Sequence, residues 1–197
     1  MLVDMIARER DSSGRERLRE IIAEKSFQEG KFTLSSGKKS NVFFNLKPTM
    51  LDPEGLNLIA DQVIAQLQDC DAEYIGGLLI GAAGVLLSVV QKSYYTPRPL
   101  KGFWVRKEQK AHGMQQLIDG EPGEGDRVII VDDVTTTGGS VLKAINTMRG
   151  CGCKIVCVLT IVDRCEGAKE HLSELGYDLI SVFDRYDFTS KEPDEVF

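Results

Sequence analysis

VIIVDDVTTTGGS, residues 128–140, runs four β-branched apolar residues into two adjacent aspartates and then into a loop of hydroxyls and glycines. The apolar run reads as a strand buried on both faces, as strands of a parallel sheet are. Glycines let backbone amides approach a ligand, threonine and serine hydroxyls add donors, and a helix N-terminus favours an anion. The loop Thr135, Thr136, Thr137, Gly138, Gly139 and Ser140 is therefore built for a phosphate. Two carboxylates, Asp132 and Asp133, would repel that phosphate unless they hold sugar hydroxyls or a Mg²⁺ shared with the ligand. A phosphorylated sugar satisfies both halves. A bare apolar run closed by Asp-Asp is ordinarily a strand ending in an Asx turn; the attached Thr/Gly/Ser run is what argues for a ligand. A nucleotide-hydrolysing alternative fails, because no G-x-x-x-x-G-K-[ST] occurs in the chain.

Outward from this stretch the chain alternates. EYIGGLLIG (73–81), LKGFWVRK (100–107), RVIIVDD (127–133), KIVCVLTIVD (154–163) and YDLISVF (177–183) read as strands. AAGVLLSVVQKS (82–93), GSVLKAINTMRG (139–150) and EGAKEHLSELG (166–176) read as helices between them. Upstream, Asp52 and Pro53 mark a helix start, followed by an apolar face of Leu56, Ile59, Ala60, Val63, Ile64 and Leu67. Ser13-x-x-Glu16 has the capping-box spacing and predicts a helix over 12–25. KFTLSSGKKSNVFFNLK (31–47) suits a hairpin. The expectation is an α/β fold: an open, mostly parallel twisted sheet flanked by helices, in one domain over 1–197, with a small N-terminal subdomain at about 1–50 and a core at about 51–197. Ligands of such sheets sit beyond the carboxyl ends of the strands, where 128–140 ends.

The bulk numbers narrow the partners. A net charge of -6 disfavours general binding to nucleic acid or to membrane surfaces. The longest uncharged stretch, 74–90, is interrupted by four glycines and is short for a membrane span. Charges fill the N-terminal region where a secretion signal needs an apolar core, which predicts a cytoplasmic protein. Five cysteines, an odd number, then read as small apolar core residues. No repeat or low-complexity segment is evident.

The 128–140 stretch resembles the phosphoribosyl-pyrophosphate (PRPP) motif of type I phosphoribosyltransferases. That resemblance implies that Asp132 and Asp133 hold ribose hydroxyls and that Thr135 to Ser140 wrap the 5-phosphate, with Val134 also in the PRPP site. A second segment, GFWVRKEQKAHG (102–113), gathers Arg106, Lys107, Lys110 and His112 in an acidic protein. Most charge runs are solvated loops, but this spacing is similar to the catalytic loop of orotate phosphoribosyltransferases. FTLSSGKKSNVFFN (32–45) resembles that family's hood over the base, with Phe43 and Phe44 at its paired aromatics. Ordinary hairpin packing is the competing reading for one of the two, because successive strand side chains point to opposite faces. TIVDRCEGA (160–168) resembles the strand end where the family places an arginine on the orotate carboxylate, here Arg164, with pairing to a neighbouring acid such as Asp163 as the alternative. Thr136 matches the family's other orotate contact. The chain departs from the pattern at Ser35, where many members carry lysine, at Asn41-Val42 in place of Pro-Tyr, and in the loop 80–85, which lacks a lysine.

The resemblance implies an orotate phosphoribosyltransferase that makes orotidine 5′-monophosphate and pyrophosphate, with Lys110, Asp132 and Asp133 catalytic. It implies Mg²⁺ held mainly through the substrate, and by Asp132 and Asp133. It also implies a homodimer in which the basic loop 101–113 crosses to the partner. A transferase for another base would keep 128–140 without needing the basic loop or Arg164. A non-catalytic PRPP sensor would show a degraded acid pair or an added DNA-binding segment, and neither is present in the sequence.

Overall fold

The computed structural model describes residues 2–33, 39–108 and 117–189. In chain order the elements are α1 (Leu2–Lys25), β1 (Phe27–Thr33), β2 (Lys39–Phe44), α2 (Lys47–Met50), α3 (Pro53–Gln66), β3 (Tyr74–Leu78), α4 (Ala83–Ser93) and β4 (Lys101–Val105). They continue with β5 (Ile118–Asp119), β6 (Arg127–Thr135), α5 (Gly139–Gly150), β7 (Lys154–Asp163), α6 (Ala168–Glu174) and β8 (Leu179–Asp184), followed by a short 3₁₀ turn at Arg185–Asp187. β1 and β2 form an antiparallel pair, the hood, and the other six strands form one sheet in the order β5-β4-β3-β6-β7-β8. Every pairing in that sheet is parallel except the short edge strand β5 on β4. Among the described residues no helix is long and apolar enough to cross a membrane.

The apolar run of β6 explains the layering. Ile129 and Val131 face one side and pack with Leu18 of α1, Ile59 and Val63 of α3 and Val85 and Val89 of α4. Val128 and Ile130 face the other and pack with Val141, Ile145 and Met148 of α5 and Leu172 of α6. A strand covered on both faces has no solvent side on which to alternate polar residues, hence its unbroken β-branched sequence. The first cluster also takes in Val42, Phe44 and Leu46, so hood and sheet share one apolar core.

Several boundaries differ from those the sequence predicts, β1 for one beginning at Phe27, ahead of the expected hairpin. α1 runs unbroken from Leu2 through Ser13, so Ser13 is not a helix cap. Glu16, the expected capping-box acid, instead accepts from Arg19 at 2.6 Å, one turn on along the exposed face. β6 continues past the aspartates to Thr135, because its ladder with β7 extends to Thr135 opposite Asp163. The predicted cap at Asp52 forms, its carboxylate accepting from the Gly55 amide at 2.9 Å.

Chain order makes the site. From β3 the chain moves outward through α4 to β4 and β5, then returns to the opposite side of β3 as β6 and continues to β7 and β8. The reversal lies between β3 and β6, and the loops leaving their carboxyl ends diverge there into an open crevice. β3 reaches this position by having no side chains in its middle: a Cβ on Gly76 would lie 2.1 Å from the Phe103 carbonyl oxygen, and one on Gly77 2.1 Å from that of Val131. Gly77→Ala is accordingly expected to destabilise the fold by about 1–3 kcal/mol through overpacking against backbone, read as a lower urea midpoint at unchanged slope.

Candidate active site

Asp132 is 6% exposed at the carboxyl end of β6, and its Oδ1 accepts from the Asp133 amide at 3.1 Å. Burial, and then the like charge of Asp133, raise its carboxyl well above the ordinary aspartate value, with Lys107 opposing them weakly. The two carboxylates converge on the loop after β3: a Cβ on Gly81 would lie 2.6 Å from Asp133 Oδ1 and 2.8 Å from Asp132 Oδ1. Only a residue without a side chain lets that loop come so close. Among the described residues no three His, Cys, Asp or Glu side chains gather as a metal cage. Two carboxylates suit a Mg²⁺ that arrives with substrate phosphates, because that ion is commonly held by one or two carboxylates plus the phosphates.

Past the acids, Val134 is half-buried between them and Thr135, and Thr135 is buried with its hydroxyl oxygen lacking a hydrogen-bond partner among the described residues. Thr136 is half-buried, Thr137, Gly139 and Ser140 are exposed, and Gly138 caps α5 in the left-handed conformation at φ 83°. No side chain caps this helix start. Its first amides therefore face the crevice with the positive end of the helix dipole, an arrangement that attracts phosphate.

The basic loop is placed at its base. Arg106 closes the β4–β5 turn through its amide to the Leu117 carbonyl at 2.8 Å, and its Nη2 pairs with Asp119 Oδ2 at 2.5 Å. Asp119 also accepts from the Trp104 indole at 2.6 Å. Lys107 lies on the acid side, its carbonyl accepting from Lys143 of α5. Lys110 and His112, and the variant Ser35, fall outside the described residues.

On the other flank, the Arg164 amide donates to the Thr135 carbonyl at 2.9 Å, which sets the arginine beside the phosphate loop. Its side chain is 4% exposed and reaches the hood, donating from Nη2 to Ser40 Oγ at 2.9 Å and to the Val42 carbonyl at 3.4 Å. The alternative of pairing with a neighbouring acid does form, though with Glu166 and not with Asp163. Asp163 accepts instead from the Cys165 amide at 2.9 Å, and Arg164 pairs with Glu166 at 2.6 Å. Phe43 and Phe44 part company, as strand geometry requires. Phe43 is 38% exposed against Phe32, while Phe44 is buried against Phe27 and Phe188. The expectation that both rings face a base is corrected for Phe44, which packs in the core. Sequence reasoning missed Gly81, Asp119, Glu166 and Arg185, whose Nη2 donates to Asn41 of the hood at 3.1 Å. Of these, Gly81 alone carried a readable signal, as a glycine directly after a buried strand.

The sequence model of the phosphoribosyl transferase domain matches residues 58–183, from within α3 to the end of β8. The orotate phosphoribosyltransferase of Rhodopseudomonas palustris BisB5 is 45% identical over 184 residues, covering 91% of this chain and 98% of its own. The chain belongs to the orotate phosphoribosyltransferase family. Among solved structures, the orotate phosphoribosyltransferase of Mycobacterium tuberculosis H37Rv superposes with a TM-score of 0.78 at 35% identity, over 89% of this chain and 98% of that one. The same enzyme in complex with PRPP superposes at 0.75 and 31% identity, with the same coverage. The switch-point crevice, the acid pair and the α5 loop are thus set in a family fold, with the hood outside the matched domain and built from 27–44.

Asp132 sets a stability cost with a definite sign. An acid whose folded-state pKa is raised costs the fold nothing below its ordinary, unfolded-state value, destabilises it increasingly as pH rises from there to the raised value, and does so by a constant amount above. Asp132→Asn, which can still accept from the Asp133 amide, is expected to melt higher than the parent at pH 8. The gap should narrow as pH is lowered below the raised value and close towards the ordinary aspartate value, as thermal melts across pH 4–8 would show.

Proposed function

We propose that the chain is a cytoplasmic orotate phosphoribosyltransferase, transferring the 5-phosphoribosyl group of PRPP to orotate and releasing orotidine 5′-monophosphate and pyrophosphate, a step towards UMP. The observation that carries it is the convergence, at one crevice, of the buried Asp132 with its half-buried neighbour Asp133, the uncapped start of α5 and the buried guanidinium of Arg164. The family supplies the substrates: curated relatives carry that activity by name, and one neighbour binds PRPP.

In this reading a ring nitrogen of orotate bonds to ribose C1 as the C1–oxygen bond to pyrophosphate breaks, the bonding pair leaving with pyrophosphate and the nitrogen's proton passing to the departing pyrophosphate or to water. The chain supplies no nucleophile; it positions the reactants and stabilises charge. Asp132 and Asp133 hold the ribose hydroxyls and face the electron-poor C1. Thr135 to Ser140 and the first amides of α5 hold the 5-phosphate. Arg106, Lys107, Lys110 and His112 meet the charge that builds on the leaving pyrophosphate. Arg164 and Thr136 hold orotate, with Phe43 at the hood edge. Mg²⁺, when bound, neutralises pyrophosphate charge beside the two aspartates.

The active unit is a homodimer that shares the loop 101–113. In support, large apolar side chains stand exposed before, within and just after α4: Ile80, Leu87 and Tyr94 are 65%, 56% and 74% exposed. Exposed apolar side chains gathered at one place can mark a protein contact. Ile80 is next to Gly81, so a second copy seated there would bring its own loop near the acid pair.

Orotate absorbance is expected to fall on addition of PRPP and Mg²⁺; an unchanged orotate spectrum with turnover of another base would overturn the assignment. Loop sharing has its own test. Lys110→Ala and Asp133→Asn should each lose about 100-fold or more in turnover. Mixed after brief unfolding, they should regain up to about a quarter of parental activity, because half the dimers are mixed and each holds one intact site. Failure to complement, with both variants dimeric by sedimentation, would place the loop in its own subunit's site.

A further inference from the structure

Arg164 carries its own anion. Its guanidinium is almost wholly buried, and the carboxylate 2.6 Å from Nη2 belongs to Glu166, two residues on. Contact at that spacing requires the chain to fold back, and it does: Cys165 between them is the one non-glycine with positive φ (54°) among the described residues, and Gly167 follows at φ 100°. The pair is incomplete. Nη2 also serves Ser40 and the Val42 carbonyl, while Arg164 Nε is buried with no partner. Arg185 stands near enough to add like charge to the guanidinium. Glu166 is itself 20% exposed, so it has a path to solvent that Arg164 lacks.

We propose that Glu166 is a surrogate for the substrate carboxylate, holding Arg164 in the substrate-free enzyme and giving way to orotate, so that it sets both orotate affinity and the preference for a carboxylated base. This rests on the reading that Arg164 receives the orotate carboxylate. The physical argument concerns buried charge. A guanidinium out of water needs a counter-anion. Glu166 supplies it when no substrate is present, and a second carboxylate arriving on the same cation must displace the first or meet its repulsion. A base lacking the carboxylate leaves Glu166 in place and meets a pocket already neutralised. Glu166 therefore weakens orotate binding while sparing neutral bases the penalty of an unpaired arginine. It is a positioning residue that acts through Arg164.

Glu166→Gln keeps the shape and an acceptor for Nη2 but removes the charge. Its orotate KM is expected to fall about three- to tenfold with a much smaller change in kcat. Inhibition by uracil, which has no carboxylate, should weaken over the same comparison, and the thermal shift given by orotate should be larger than in the parent. These opposite signs separate the proposal from a merely structural role, in which loss of the pair would weaken both ligands together. Orotate KM unchanged or raised in Glu166→Gln overturns the inference. Arg164→Gln is the control for the reading beneath it: a large rise in orotate KM upholds that reading, and an unchanged KM overturns it whatever Glu166→Gln does.

Discussion

The structure is organised around two adjacent carboxylates, one of which is unfavourable where it stands. Asp132 is buried at the end of β6, and both burial and its neighbour Asp133 oppose its ionisation. Placing them there demands a strand end fixed on both sides, which β3 and β7 provide. It also demands a neighbouring loop with nothing to clash, which Gly81 provides. The favourable fields nearby are the start of α5 and Lys107, and neither pairs the acids off. Stability is forgone at this point for an arrangement that suits a polyhydroxyl ligand with a cationic centre, the trade expected at a site.

The positive side follows the opposite rule. Both arginines assigned to substrate anions are held by carboxylates of their own chain, Arg106 by Asp119 and Arg164 by Glu166, and each leaves a buried Nε unpartnered. Acids at the centre of the crevice are left bare and bases at its rim are provisionally neutralised. A rim of unpaired guanidinium groups would be costly to bury and would capture any anion. A rim with internal partners exchanges one anion for another, so the net gain depends on geometry and selects for shape as well as charge.

Much of this was legible in the sequence because period and composition act locally. The unbroken β-branched run of 128–131, Asp52 and Pro53 at the start of α3, and the Thr/Gly loop before α5 each carry their reason within a few residues. What stayed hidden depends on groups distant in sequence. Glu166 is an ordinary loop acid until a left-handed Cys165 turns it onto Arg164. Asp119 has a role because β5 doubles back on β4. The capping-box pattern at Ser13 misled for the related reason that a Ser/Glu spacing of three is also met inside a helix, where Glu16 found Arg19 instead.

The hood shows how a departure from the family pattern is absorbed. Asn41 and Val42 stand where the family usually carries Pro-Tyr, and both have specific work. The Asn41 side chain accepts from Arg185, the Val42 side chain is 1% exposed in the shared core, and the Val42 carbonyl accepts from Arg164. Proline at 41 could not offer the side-chain oxygen that Arg185 uses, and tyrosine at 42 would overfill a position closed by core residues. The hood is thereby tied to the carboxyl ends of β7 and β8 through two arginines. The base pocket and the fastening of its cover then share one residue, Arg164, so that whichever anion occupies that guanidinium also bears on how firmly the hood is held.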